Sequence, residues 1–196
     1  MGARTGLQPS NCAPANLEHR SRMKMIGLVG WSGSGKTTLV VRLIPIIIAR
    51  GFSVSTLKHA HHDFDVDQPG KDSYEHRRAG ATEVVVSSSA RFALMHELRG
   101  AREPSLEDLV AHMTPVDLLL VEGFKTHAHD KIEIHRPALE KPLLAASDSR
   151  VVAVASDATI AGLRVPRLDL ADVEAIADFI LAHCGLARPR ARAERA

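Results

Sequence analysis

The run Gly30-Trp31-Ser32-Gly33-Ser34-Gly35-Lys36-Thr37-Thr38 decides how the rest of this chain is read. It fits G-x-x-x-x-G-K-[ST], a turn that wraps phosphate groups when a strand leads in and a helix leads out. Both flanks are present. Met25-Ile26-Gly27-Leu28-Val29 has the length and character of a buried strand, and Leu39-Val40-Val41-Arg42-Leu43-Ile44 opens a helix. A helix start offers N–H groups without intrahelical partners, and its dipole favours an anion. Gly30, Gly33 and Gly35 let the backbone curl around phosphate oxygens. The expected nucleotide contacts are therefore Gly30, Ser32, Gly33, Ser34, Gly35, Lys36, Thr37 and Thr38. Lys36 is expected to act catalytically on the β- and γ-phosphates, and the Thr37 hydroxyl to hold Mg2+.

Working outward, the helix is expected to reach about Arg50 and stop at Gly51, with a kink or a partly broken ladder at Pro45. Phe52 to Lys58 reads as a second strand. A polar, turn-rich loop follows over residues 59–70, then a short helix from Lys71 to Ala79. Glu83 to Ser88 and Arg91 to His96 are β-rich runs that suggest a hairpin. Ser105-Leu106-Glu107-Asp108 starts a capped helix. Val116 to Val121 and Val151 to Ala155 are apolar strands, and Lys131 to Arg136 alternates like a half-exposed one. Asp172 to Cys184 is an amphipathic helix with Val173, Ile176, Ala177, Ile180 and Leu181 on one face. Strands alternating with helices predict an α/β three-layer sandwich with a mainly parallel sheet. The runs near 83–96 and 131–136 are expected to add a short antiparallel extension.

The chain has 196 residues, enough for one domain with a sizeable core. No apolar run is long enough to span a bilayer, and no signal-peptide core is visible at the N-terminus. Cys12 and Cys184 lie near opposite ends and form no disulfide framework, so a cytoplasmic home is expected. The formal net charge of +2 hides an asymmetry. Arg4, Arg20, Arg22 and Lys24 make one end basic, and Arg188, Arg190, Arg192 and Arg195 the other, leaving the middle acidic. Residues 1–23 are expected to be a disordered leader, 24–185 the folded domain and 186–196 a disordered basic tail. Neither a nucleic-acid nor a membrane partner is expected.

Three further features bear on chemistry. Leu118-Leu119-Leu120-Val121-Glu122 is an apolar strand ending in an acid, which places Glu122 near Thr37 as a second Mg2+ holder. The 59–70 loop carries His59, His61, His62, Asp63, Asp65 and Asp67, without the Gly and Glu that would complete a calcium loop. Asp63 is the expected acid there, as a catalytic residue and a metal ligand. Asp157, just past a buried strand, has the acceptor chemistry to read the N1–H and N2 amine of guanine, which favours GTP. His127 and His129 read as isolated surface histidines, with a histidine site shared with the first loop as the other possibility.

Taken together, the phosphate loop, Leu57-Lys58-His59-Ala60-His61-His62-Asp63, Asp65-Val66-Asp67-Gln68-Pro69-Gly70-Lys71-Asp72-Ser73-Tyr74-Glu75, Val121-Glu122-Gly123-Phe124-Lys125 and Ala153-Val154-Ala155-Ser156-Asp157 resemble one family. The resemblance is to molybdopterin-guanine dinucleotide biosynthesis adaptor proteins, over about residues 24–184. It implies a phosphate-loop NTPase fold, a homodimer, Mg2+-dependent GTP binding and feeble hydrolysis. It also implies association with the guanylyltransferase of the molybdenum cofactor, which joins GMP to molybdopterin. The adaptor's part would be to supply GTP or to hand over molybdopterin. Two other readings stay open. A GTPase metallochaperone for nickel would use the histidines but usually adds a Cys-Pro-x-x-His motif that is missing. An ATP-dependent small-molecule kinase would need a lid arginine, for which Arg77 and Arg78 are candidates on what also reads as an exposed helix face.

Overall fold

The computed structural model describes residues 23–60 and 64–186. Expectations for the leader, the basic tail, His61, His62 and Asp63 fall outside the described residues. The chain divides into two compact units, one of Met1–His59 with Thr114–Ala196 and one of Ala60–Met113.

In the first unit, β1 (Lys24–Val29), β2 (Val54–Lys58), β5 (Leu118–Glu122), β6 (Lys131–His135), β7 (Val151–Ser156) and β8 (Arg167–Asp169) form one sheet in the order β2-β5-β1-β6-β7-β8. Every pairing is parallel. The continuous apolar run of β5 is buried throughout, as suits a strand covered on both faces. Helices α1 (Lys36–Ala49) and α4 (Val173–His183) pack against each other over the sheet. They bury Leu39, Leu43 and Ile47 from α1 and Ile176, Ala177 and Ile180 from α4 against Ile26, Leu28, Leu118, Leu120, Ile132 and Ile134. Each Leu or Ile among these contributes roughly 1.5–3 kcal/mol through burial. Pro45 removes one N–H from the α1 ladder but does not end the helix, which runs on to Ala49 before Gly51 turns the chain at φ 90.

Strand β6 corrects the sequence reading. It is neither half-exposed nor part of an antiparallel extension: it lies between β1 and β7, pairs in parallel with both, and is buried along its length. Its polar residues are tolerated because each finds a partner. The Lys131 ammonium donates to Asp148 Oδ2 at 2.5 Å and to the Lys125 carbonyl at 2.8 Å. The Glu133 carboxylate, fully buried, accepts the N–H groups of Leu144 (2.9 Å) and Ala145 (2.8 Å). Alternation therefore marks a two-sided interior here. The alternate, polar face is closed by the segment after β6, which makes two 3-10 turns, Pro137–Leu139 and Leu144–Ala146. Short β8 gave no sequence signal.

In the second unit, β3 (Glu83–Ser87) and β4 (Phe92–His96) form the expected antiparallel hairpin, with α2 (Asp72–Arg78) packed on β3. Helix α3 (Leu106–Ala111) starts at Ser105, where the Ser105 hydroxyl accepts from the Asp108 N–H and the Asp108 carboxylate accepts from the Ser105 N–H. Arg77 clasps this unit. Its guanidinium bonds Asp65 (2.8 Å), Asp67 (3.3 Å) and Glu97 (2.9 Å).

Candidate functional site

The parallel sheet brings four strand ends to one edge. β1 runs into the phosphate loop, β5 ends in Glu122, β6 is followed by Arg136 and β7 by Asp157. This is the edge at which parallel α/β sheets bind ligands.

The loop's shape follows from its glycines. Gly30 has φ 152, and a Cβ there would lie 2.4 Å from the Ile134 carbonyl oxygen and 2.7 Å from Ser34 Oγ. Only glycine allows β1 and β6 to approach this closely. Gly35 caps α1 at φ 97 in the left-handed region, with no side chain bonded to the helix start. The first-turn N–H groups of α1 thus lack the side-chain cap that most helices carry, which is the arrangement of an anion cradle.

Lys36 reaches back over the loop and donates to the carbonyls of Gly30 (3.1 Å) and Trp31 (3.0 Å). Partial burial pulls its pKa below the ordinary 10.5, and the Glu122 carboxylate opposes that shift. Thr37 Oγ1 donates to Glu122 Oε1 at 2.8 Å, and Lys58 Nζ lies 3.6 Å from the same oxygen. The two expected Mg2+ holders, 85 residues apart in sequence, therefore touch. A hydroxyl and a carboxylate at this spacing are hard oxygen donors of the kind Mg2+ takes, so the residues fit that ion.

Arg136 was not singled out in the sequence. Its Nε donates to the Ser34 carbonyl at 3.1 Å, and its Nη1 pairs with Asp157 Oδ2. Asp157 thus stands at the right edge of the sheet, held by an arginine. The signal for Arg136 lay in its place, one residue past a strand that could be located centrally only by structure. Trp31 was also missed. Its indole N–H donates to the Pro142 carbonyl at 2.8 Å, and Lys125 Nζ lies 4.6 Å from its ring centroid.

Among the described residues the histidines do not converge as a site. His129 is buried, its ring nitrogens have no hydrogen-bond partner, and it fills the space beside Gly27, whose Cβ would fall 2.4 Å from Nε2. It is not a surface residue. Burial, aided by the Lys131 and His127 charges, pushes its pKa down to about 4. His127 stands edge-on to Phe124 with ring centroids 4.8 Å apart, and its Nδ1 is buried. Among the described residues no three His, Cys, Asp or Glu side chains converge as a metal site. Asp65 and Asp67 belong to the Arg77 clasp, and hydrogen bonding to Arg77 holds the Asp65 carboxyl below its ordinary pKa. Arg77 is correspondingly committed to these carboxylates and to Glu97.

Comparison with known proteins agrees with this architecture. Residues 25–157 match the family described as molybdopterin guanine dinucleotide synthesis protein B. The chain is 45% identical over 165 residues to the molybdopterin-guanine dinucleotide biosynthesis adapter protein of Escherichia coli, covering 83% of this chain and 94% of that protein. It is 42% identical over 164 residues to the Haemophilus influenzae protein of the same name, covering 82% and 89%. The crystal structure of a molybdopterin-guanine biosynthesis protein B superposes with a TM-score of 0.64 at 27% identity, covering 81% of this chain and 99% of that one. Bacillus subtilis MobB gives a TM-score of 0.61 at 25% identity over 82% of this chain and 98% of its own.

Proposed function

The chain belongs to the molybdopterin guanine dinucleotide synthesis protein B family, and we propose that it serves molybdopterin-guanine dinucleotide biosynthesis as a GTP-holding adaptor. The observation that carries the nucleotide reading is the 2.8 Å bond between Thr37 and Glu122 at the start of α1, beside Lys36. Phosphates sit on the N–H groups of Gly33 to Thr38, and the Lys36 ammonium leaves the Gly30 and Trp31 carbonyls to neutralise them. Thr37 and Glu122 would hold Mg2+, which would supply positive charge beside the phosphates. Asp157 accepts from guanine. The guanylyltransferase that joins GMP to molybdopterin is the partner, and this chain presents the nucleotide, or molybdopterin, to it.

Hydrolysis is slow in this reading. The Arg136 guanidinium is engaged by the Ser34 carbonyl and Asp157, so it is not poised to meet charge developing on a γ-phosphate. Asp63 stays a candidate to orient water. A homodimer is supported by the hairpin, whose one face presents Val85 (63% exposed), Phe92 (69%) and Leu94 (46%). Phe92→Lys is expected to yield monomers in sedimentation.

The test is a titration of GTP, ATP and Ni2+ into one preparation by calorimetry, alongside Lys36→Ala. GTP-selective binding that Lys36→Ala abolishes supports the reading. Unchanged GTP binding by the variant overturns the site, and tight Ni2+ binding favours a metallochaperone.

A further inference from the structure

We propose that Arg136 is a positioning residue for base selection, one guanidinium tying the Asp157 carboxylate to the Ser34 carbonyl of the phosphate loop. The inference rests on the reading above, in which Asp157 accepts from guanine.

β6 lies between β1 and β7, with Val29 opposite Glu133 and His135 opposite Ser156. The residue that follows β6 is thereby set between the loop that follows β1 and the acid that follows β7. A short side chain there would touch neither. Arg136 reaches both: Nε donates to the Ser34 carbonyl at 3.1 Å and Nη1 pairs with Asp157 Oδ2. Its guanidinium also lies against Gly35, where a Cβ would come within 3.6 Å of Nη2.

Reading guanine requires an ionised carboxylate presenting acceptors to two adjacent donors in one plane. Asp157 is a loop residue whose side chain is 42% exposed, and alone it would sample several rotamers. A carboxylate has about four acceptor positions, so one bond to arginine leaves positions for the base. The guanidinium is planar, permanently charged and rigid, so two of its nitrogens fix two acceptors at a set separation. Here the second acceptor is a backbone oxygen of the loop that cradles the phosphates. The base-reading acid is therefore indexed to the phosphate site. A lysine has one flexible ammonium and cannot hold both points.

Wild type, Arg136→Ala, Arg136→Lys, Asp157→Asn and Arg136→Ala/Asp157→Asn are titrated with GTP and with ATP by calorimetry in the presence of Mg2+, and their melting temperatures are compared. Arg136→Ala is expected to lose about tenfold or more of the GTP-over-ATP preference, the scale of one charge-assisted hydrogen bond, with ATP affinity held within about threefold. Arg136→Lys should recover little of that preference, and the double variant should discriminate no worse than Asp157→Asn alone. If Arg136→Ala is poorly folded, Arg136→Lys carries the test. Equal losses for GTP and ATP would make Arg136 a phosphate-loop residue and overturn the inference. So would an unchanged preference in Arg136→Ala and Arg136→Lys while Asp157→Asn loses it, and that result leaves the base reading standing. A wild type without GTP preference removes the base reading and this inference with it.

Discussion

The buried, unbonded His129 makes a quantitative claim on stability. Its folded pKa of about 4 lies below the ordinary 6.5, because burial and the nearby Lys131 and His127 disfavour imidazolium more than Asp130 and Asp148 support it. Between those values the unfolded chain binds a proton that the native chain refuses, so stability falls as pH drops below about 6.5 and levels off below about 4. Linkage with these two pKa values gives a loss of about 2 kcal/mol between pH 7.5 and pH 5. For a domain of this size that corresponds to a fall in melting temperature of about 4–8 °C. Urea unfolding at a series of pH values, followed by circular dichroism and by the fluorescence of the single tryptophan, Trp31, measures the slope. His129→Leu removes the titrating group and its two unpaired ring nitrogens, so at pH 7.5 it should be within about 1 kcal/mol of wild type, in either direction. Across pH 7.5 to 5 the variant should lose about 2 kcal/mol less than wild type. A variant that keeps the full wild-type slope would refute the assignment of that slope to His129.

Three other perturbations follow from the same geometry. Gly30→Ala should cost about 3 kcal/mol in chemical denaturation, since the added methyl meets the Ile134 carbonyl at 2.4 Å and the backbone must yield; a loss under about 0.5 kcal/mol would contradict that contact. Glu133→Gln keeps the shape but offers one oxygen to two buried N–H groups, so it should cost about 2 kcal/mol, and a neutral result would mean that Leu144 and Ala145 are not held by this carboxylate. Glu122→Gln should reduce the gain in GTP affinity on adding Mg2+ by about tenfold or more, while GTP binding in EDTA stays level or improves because a negative charge near the phosphates has gone. Equal losses with and without Mg2+ would assign Glu122 a structural role instead.

What could be read from sequence, and what could not, divides along physical lines. The phosphate loop, α1 and the α4 face were legible because local signals and core packing agree: Val173, Ile176, Ala177, Ile180 and Leu181 are the buried residues of that helix. The Ser105 cap was legible because capping is local chemistry. β6 was misread because period-two alternation normally means water on one face. Here the partners of Lys131 and Glu133 come from Lys125 and residues 144–148, and nothing in a window around 131–136 reveals them. Arg136 was invisible for the same reason, since its value depends on strand order. The alternate spacing of Asp65 and Asp67 is visible locally, whereas their partner Arg77 lies ten or more residues on, so their role as its ion-pair partners is not.

The distribution of cations around the loop bears on why a phosphate-loop protein would hold nucleotide rather than turn it over. Transition-state stabilisation in phosphoryl transfer needs positive charge aimed at the leaving and transferred groups, and a supplied arginine is worth orders of magnitude in rate. Among the described residues, the cations near Gly30 to Thr38 are each held by another group. Lys36 lies on the Gly30 and Trp31 carbonyls, Lys58 is beside Glu122, Lys125 lies over the Trp31 ring, and Arg136 bridges the Ser34 carbonyl and Asp157. Lys36 can release neutral carbonyls at modest cost when phosphates arrive. Releasing Arg136 would strand the Asp157 carboxylate, a larger cost than freeing neutral carbonyls. On the proposed reading, the arrangement offers charge for ground-state binding and withholds it from the reaction coordinate, as slow hydrolysis in this chain alone would require. A partner could change that only by bringing its own cation or by breaking the Arg136–Asp157 pair. The second route has a signature: partner-stimulated hydrolysis would vanish in Arg136→Ala, whereas a cation brought by the partner would leave it intact.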